Sequence, residues 1–516
     1  MSFGRNIATV GVGTLVSRLM AYARDAGIAA WLGTSVWSEA FFLVLQIVNF
    51  FRRLLSEGAL NSAFVPLWLK LKAAEDGSAQ ADRFTRRTLA TMALVTGILA
   101  LAAIAFAPWI VHALAPGFDA GRTALATVLL RIVALYVLLA GIVAVVAAAL
   151  NAAGRVVAIV LSTVAFNFVM LLALGVAAAA RVNEAEVAVW LCLSVLAAGV
   201  LQILIAGTAW LASGTRFRRP RIRVPDQTRV AFARMLPGLI ATGIPQLKLI
   251  AGTAIASASP AAVAWLYYAN RLYELPLGVA SVAIAAVIVP KISASVHGGI
   301  PSALAASQSR AYEIALGLAL PAATGFGVLA GPIAAGLFEH GAFTERDTLA
   351  VSAALSAICI GLPGHVLEKV FGAISFAHED TRTPMLTALC GLAAAIVGSL
   401  LLFPRAGQVG VAAAIGLSGW VGAAALGVVL RRRHWLALDA DARRRLPRIV
   451  LASAVVGICI EVCLIFLTPR LALSAEGRVI VLFTLVALGV CTYLIMLQLL
   501  AVVTWKTLIA ALRERV

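Results

Sequence analysis

Charge is scarce in this chain: 12% of its 516 residues are Asp, Glu, Lys or Arg, against 62% apolar residues. A soluble globular domain carries about a quarter of its residues charged, so an ordinary water-facing surface is excluded. Acid is the scarcer sign, with 23 Asp and Glu against 41 Lys and Arg. The six cysteines all fall in apolar runs. Cys459 and Cys463 stand one helical turn apart, but no histidine or acid cluster joins them, which favours packing over a metal or a disulfide. The nucleotide loop GxxxxGK[ST] is missing, as are HExxH, GxSxG and Cys-x-x-Cys, and "GVG" at 11–13 lies in an apolar run without the following glycine. ATP as an energy source and enzymatic chemistry fall away with these motifs, and no cofactor or metal is expected.

What is present is apolar length. Mean hydropathy is +1.00, and runs of about 20 apolar residues, each able to cross a 30 Å hydrocarbon core as a helix, recur along the chain. The short alternating segments of a β-barrel are not found. The expected fold is an all-α polytopic membrane protein with fourteen transmembrane helices. They fall at about 7–32, 36–56, 88–112, 124–150, 156–181, 186–212, 229–256, 262–290, 311–338, 347–374, 384–404, 408–430, 447–468 and 478–505. The N-terminus shows no short apolar core followed by a small-residue cleavage site, so the first helix is expected to be retained.

The net charge of +18 is unevenly placed. With the N-terminus inside, the inner loops hold 26 Lys and Arg, including "RFRRPRIR" (216–223), "RRRHW" (431–435) and "RRRLPR" (443–448). The outer loops hold six: Arg122, Arg181, Arg346, Arg405, Arg470 and Arg478. This positive-inside bias puts both termini in the cytoplasm. A nucleic-acid patch would not alternate with the crossings, so the partner of these loops is the anionic leaflet and not nucleic acid.

The chain also echoes itself at an offset of about 224 residues. In "PWIVHALAPGF" (108–118), Pro108 precedes Gly117 by nine; in "PIAAGLFEHGAF" (332–343), Pro332 precedes Gly341 by nine. Pro66 maps onto Pro290, and the elbow "NAAGR" (151–155) onto "FAHEDTR" (376–382). An even number of helices per half makes the repeats parallel, related by an axis along the membrane normal. The expected domains are an N-lobe over 1–212 (helices 1–6), a basic cytoplasmic linker over 213–228, and a C-lobe over 229–431 (helices 7–12). Residues 432–516 add helices 13 and 14 and a cytoplasmic tail. Two such lobes with a cleft between them suit alternating access.

Nine basic residues fall inside expected helices: Arg18, Arg24, Arg52, Arg53, Arg131, Arg234, Lys248, Arg271 and Lys369. At the bilayer centre each would cost about 2.5–3.5 kcal/mol on an insertion scale, so each must meet water, a partner or an anion. Arg53, Arg131 and Arg234 lie near expected helix ends, where long side chains snorkel to headgroups. Arg18, Arg24, Arg52 and Arg271 lie deeper, on helices 1, 2 and 8, and are the candidate substrate-binding set. Asp25, Glu39, Glu274, Lys248 and Lys369 are the candidate supporting charges, with Glu57 and Glu368 adding acid nearby. Glu274 follows Arg271 by three residues, within pairing reach on one helix face. Lys248 is Arg24 displaced by 224, its expected mate in helix 7. Basic residues outnumber acids, and arginine suits bidentate phosphate binding, which points to a phosphate or pyrophosphate headgroup. A set in which every charge is merely paired is the alternative. Arg18 and Arg24, six residues apart, diverge by about 120° around the helix, which favours Arg24 as the ligand contact and Arg18 as a residue of lobe closure.

Several stretches together resemble the MurJ (MviN) lipid II flippases of bacteria, within the superfamily of multidrug and polysaccharide exporters. They are "SRLMAYARDAGIAAWLG" (17–33), "EAFFLVLQIVNFFRRLLSEGALNSAFVP" (39–66), "APGF" (115–118), "WLYYANRLYELPLGV" (265–279), "HGAFTERDT" (340–348) and "EDTRTP" (379–384). The resemblance implies a fourteen-helix inner-membrane transporter, not an enzyme. It would move the undecaprenyl-pyrophosphate-linked peptidoglycan precursor, lipid II, from the cytoplasmic to the periplasmic leaflet for cell wall synthesis. It implies that Arg18, Arg24, Arg52 and Arg271 match the family's essential cleft arginines, and that Asp25 and Glu274 match its cleft acids. Glu39 and Asn270 stand where the family commonly has aspartate, and Lys248 matches no family motif. Helices 13 and 14 would shape a groove for the lipid tail. Expected partners are lipid II and membrane lipids, with cell-division or cell-wall synthesis proteins as further candidates; the expected driving force is the membrane potential or an ion gradient. The rival functions are a cation-coupled drug antiporter, an exporter of another polyprenyl-linked sugar, and a non-transporting scaffold.

Overall fold

The computed structural model describes residues 3–56, 59–74, 77–212, 243–298, 300–471 and 475–502. The basic linker 213–228, Glu57, Arg234 and the tail from 503 onward lie outside the described residues. Regular structure among the described residues is helical throughout, as hydrocarbon demands of a chain that must satisfy its own backbone donors and acceptors. Ten of the described helices are long and apolar enough to cross a membrane. The chain forms two compact units, Met1–Ala264 with His340–Phe343, and Trp265–Glu339 with Thr344–Val516.

The first unit contains α1 (Phe3–Leu32), α2 (Val36–Ser56), α3 (Ala59–Lys72), α4 (Gly77–Ala105), α5 (Ala107–Leu114), α6 (Ala120–Val133), α7 (Leu135–Ala152), α8 (Val156–Ala180) and α9 (Glu184–Leu211). A further helix, α10, runs through 243–256. α8 packs between α1 and α9, α7 packs on α4 and α9, and α2 lies along α6 and α7. The 14-residue α3 falls where the sequence suggested a loop. It is held by its apolar side: Leu60, Phe64 and Trp68 bury against Phe84, Met92 and Ala148, with the Phe64 and Phe84 rings stacked at 4.9 Å.

The second unit contains α11 (Ala262–Ala283, its first turn belonging to the first unit), α12 (Val289–Gly298) joined to it by one π turn (Ile284–Ile288), α13 (Pro301–Val328) and α14 (Ala330–Phe338). α15 (Glu345–Cys359), α16 (Leu362–Ala377), α17 (Arg382–Arg432), α18 (Ala440–Leu471) and α19 (Ala475–Leu499) follow. α17 is two helices meeting at Gly407, whose φ of 51° and ψ of −135° leave the helical region. The two apolar runs 384–404 and 408–430 therefore reverse where expected. α18 packs on α13 and α19, and the Tyr493 hydroxyl of α19 donates to the Gly317 carbonyl of α13 at 2.8 Å. The connection into α18 is also tied to α13: Gln308 Nε2 donates to the Trp435 carbonyl and its Oε1 accepts from the Ala437 N–H, both at 2.8 Å. At the turn before α17, burial works against ionisation of Asp380, but the hydrogen bonds of Thr383 and the Arg433 guanidinium outweigh it and hold its pKa at about 2.

Spans expected as continuous are broken, and the breaks repeat. α4 gives way to α5 at Phe106 as α13 gives way to α14 at Leu329. α6 starts on an N-cap at Asp119 and α15 on one at Thr344. α6 ends at Ala134 and α15 at Ile360, each followed at once by a second helix. Each pair lies about 224 residues apart, so the echo in the sequence is an echo in the backbone.

Two contacts inside the first unit show why "APGF" and "HGAF" carry glycine. A Cβ on Gly117 would sit 2.2 Å from the Ala258 nitrogen, and the Gly117 N–H donates to Ser257 Oγ at 3.0 Å. Gly341, at φ +61°, lies so close to the end of α1 that a Cβ would sit 2.3 Å from the Ala30 carbonyl, which accepts from the Ala342 N–H at 2.8 Å. Gly117→Val and Gly341→Val should each lower the thermal midpoint, overpacking of this kind costing about 1–3 kcal/mol. Gly154→Asn should not, since Gly154 has a φ of +72° but open space around it and asparagine tolerates that conformation. Scanning fluorimetry of the three purified variants checks this, and an unshifted Gly117→Val would refute the packing account.

Candidate functional site

Two charges of α1 are deeply placed. Arg24 is 5% exposed and Asp25 fully buried. Arg24 Nη2 and Nε both donate to Asp25 Oδ1, at 2.6 and 2.9 Å. Arg24 Nη1 reaches across to α8, donating to Asn167 Oδ1 at 3.1 Å, with the Met170 sulfur 3.7 Å away. Asn167 in turn donates through Nδ2 to the carbonyl and hydroxyl of Ser17, at 3.1 and 3.2 Å. A single chain of hydrogen bonds therefore ties Ser17, Asn167, Arg24 and Asp25 together and sets the register of α1 on α8. Arg18, one and two-thirds turns earlier, is half-buried and makes no hydrogen bond or ion pair among the described residues.

Arg52 stands at a separate place in the same unit. It lines a cavity of about 250 Å³ with Asn61, Tyr136, Asn151, Ser162 and Gln202, whose lining includes no carboxylate. Inside it the Tyr136 hydroxyl donates to Gln202 Oε1 at 3.3 Å, and Gln202 Nε2 donates to the Ser162 carbonyl at 3.1 Å.

Glu39, expected beside the arginines of helices 1, 2 and 8, pairs instead with Arg122. Arg122 Nη1 lies 3.2 Å from Glu39 Oε2 while its Nε lies 2.8 Å from Asp119 Oδ2. Glu39 Oε1 also accepts from the Val263 backbone N–H at 3.3 Å. The hydrogen bonds from Arg122, backbone first, hold the Asp119 carboxyl below the usual range. Arg122 and Asn167 are the residues that sequence reasoning missed. Arg122 was taken for a loop charge, although Asp119 three residues earlier is an N-cap signal. Asn167 was a lone amide in an apolar run.

In the second unit Arg271 Nη1 lies 3.3 Å from Glu274 Oε2, as the spacing predicted, and both side chains are about one-fifth exposed. Behind them the Tyr273 hydroxyl meets His365 Nδ1 at 2.9 Å. Lys248 on α10 is 4% exposed, buried as deeply as Arg24, whereas Lys369 on α16 is exposed. α10 runs antiparallel to α2, with Gln46 Nε2 donating to Thr253 Oγ1 at 2.8 Å. No cluster of three or more metal-ligating side chains occurs among the described residues.

Long helices broken in repeating pattern and carrying buried cations define a polytopic membrane transporter. Its fold is that of a solved "Lipid II flippase MurJ, inward closed conformation", with a TM-score of 0.77 over 95% of this chain and 98% of that one at 22% identity. An inward-facing MATE family multidrug transporter of the MOP superfamily matches with a TM-score of 0.66 over 83% of this chain and 98% of that one, at 14% identity. The family model for "Lipid II flippase MurJ" matches residues 28–498. A probable lipid II flippase MurJ of Rhizobium meliloti is 37% identical over 501 residues, covering 96% of this chain and 93% of that protein. The lipid II flippase MurJ of Burkholderia cenocepacia is 28% identical over 443 residues, 84% of each chain. The chain belongs to the MurJ family of lipid II flippases.

Breaking a buried ion pair on one side leaves an uncompensated charge and costs about 3–5 kcal/mol, whereas replacing both partners with apolar side chains is close to neutral. Asp25→Asn should therefore lower the thermal midpoint sharply, and Arg24→Met with Asp25→Leu should restore most of it. If the double substitution is no more stable than Asp25→Asn, the pair is not what holds α1 on α8.

Proposed function

We propose that this protein flips lipid II across the bacterial inner membrane, carrying the disaccharide-peptide headgroup from the cytoplasmic to the periplasmic leaflet for peptidoglycan synthesis. The observation that carries the mechanism is the Arg24–Asp25 pair: a guanidinium buried in a membrane helix and held by one carboxylate can exchange that partner for a phosphate. In this mechanism the pyrophosphate is captured by Arg24, Arg52 and Arg271 while the polyprenyl tail stays in lipid. Arg18 acts in closure. Asp25 and Glu274 hold Arg24 and Arg271 in place before capture and take them back after release. Glu39, Lys248 and Lys369 support the charge balance. The working division is the two six-helix lobes 1–212 and 229–431 joined by the linker 213–228, with 432–516 shaping a groove for the tail. Both termini lie in the cytoplasm.

No bound cofactor is required. The membrane potential can drive the return of the cationic carrier, since moving one charge across 100 mV is worth about 2.3 kcal/mol. Cell-division or cell-wall synthesis proteins are the partners such a carrier would serve.

Arg24→Ala and Arg271→Ala should give inserted protein that cannot support growth when the native copy is depleted, with lipid II accumulating in the inner leaflet. Glu274→Gln should be milder, because Arg271 keeps its charge. Lys248→Ala should lower export if Lys248 is the functional mate of Arg24. Measuring externally accessible lipid II in depleted cells checks all four. Normal export by Arg24→Ala would sink the arginine mechanism, and accumulation of a different polyprenyl-linked sugar would identify another cargo.

A further inference from the structure

Arg131, like Arg18, stands apart from the pairs described above. Arg131 is the twelfth residue of the span Ala120–Ala152, roughly 16 Å along the helix from Ala120 at 1.5 Å per residue. The sequence places it near a helix end, and it lies in the last turn of α6, where α7 follows at once. It is exposed, and it makes no ion pair or hydrogen bond among the described residues. Tyr136, five residues on, faces the internal cavity beside Arg52, and five residues turn a helix by about 140° from that direction. Arg131 lies between Val128 at 51% and Leu135 at 44% exposure, so exposed apolar side chains flank it.

That face is not flat. α5 and α6 line an open groove of about 620 Å³ with Pro108, His112, Phe118, Thr123, Thr127 and Arg131 among others, and no carboxylate in its lining. Helical side chains lean toward the helix N-terminus, so the Arg131 side chain runs up the groove past Thr127 and Thr123, one turn apart each, toward His112. His112 is exposed and makes no hydrogen bond among the described residues. Trp109, 76% exposed on α5, marks the level of the membrane interface beside it. Thr127 spends its hydroxyl on the Thr123 carbonyl at 2.7 Å, whereas the Thr123 hydroxyl reaches the Phe118 carbonyl only at 3.5 Å and is free to turn into the groove.

We infer that this groove binds the phosphodiester of an anionic phospholipid of the surrounding membrane, with Arg131 gripping the phosphate and His112 and Thr123 donating beside it. A guanidinium matches two phosphate oxygens, and a groove with a cation and no acid prefers a headgroup without an amine. The groove shares no lining residue with the cavity of Arg52. It depends on the membrane placement of α6 and not on which lipid is flipped.

The test is site-resolved photocrosslinking in proteoliposomes, using phosphatidylglycerol with a diazirine next to its headgroup and mapping the labelled peptides. Labelling should concentrate in peptides covering 108–131, fall about tenfold in Arg131→Gln, stay near the native level in Arg131→Lys, and be untouched by Arg24→Ala. Arg131→Met serves as a second neutral variant, and thermal midpoints confirm that each protein is folded. Unchanged labelling in folded Arg131→Gln and Arg131→Met overturns the proposal. Equal labelling by a phosphatidylcholine probe overturns the preference for an anionic lipid, and suppression by excess undecaprenyl pyrophosphate reassigns the groove to the cargo.

Discussion

A guanidinium inside a membrane helix must bring its counter-charge with it, and the packing of the first helix follows from that constraint. Arg24 takes Asp25 from its own helix and Asn167 from α8, and Asn167 closes the chain on Ser17. The ion pair alone could form on an isolated helix. The amide is what makes it structural, because it can satisfy Arg24 and Ser17 together in only one register of α1 on α8. Desolvation opposes such a pair and the added hydrogen bonds offset it, so the cation's local stability and the helix contact are one interaction.

The other cations answer the same constraint at different depths. Arg122 is satisfied twice, by Glu39 and Asp119, at the start of a helix. Arg271 pairs with an acid one turn away and keeps about a fifth of its side chain open. Partial exposure makes such a pair easier to separate than that of Arg24, since water can solvate the two charges as they part. The two pairs thus differ in burial: that of α1 is sealed into a helix contact, and that of α11 keeps an open face.

Much of this was legible in the residues. Hydropathy located the long apolar segments, because the bilayer imposes length and polarity directly on sequence. The Arg271 and Glu274 spacing foretold their contact, since an i, i+3 pair needs no tertiary information. The break at Phe106 could not be read, because the apolar run continues through it and only the backbone turns. Nor could the partner of Glu39: its charge invited grouping with the nearby arginines, but Arg122 lies 83 residues away and reaches it only once α6 packs on α2. Lone amides such as Asn167 are silent for the same reason, having no local pattern until a neighbouring helix supplies one.

The repeat explains one departure from itself. The backbone breaks recur about 224 residues apart, yet the charges at the joints do not. At the start of α6 Arg122 pairs with Glu39; at the start of α15 the Trp265 indole N–H donates to Asp347 at 2.9 Å. Glu39 also accepts a hydrogen bond from the backbone of Val263, 224 positions later in the chain. Its carboxylate thus bonds to its own repeat mate. Any residue but proline would give that N–H; what valine adds at 263 is a buried side chain without charge. A second carboxylate beside Glu39 would oppose ionisation of both, so departure from exact repetition at this position suits a buried acid.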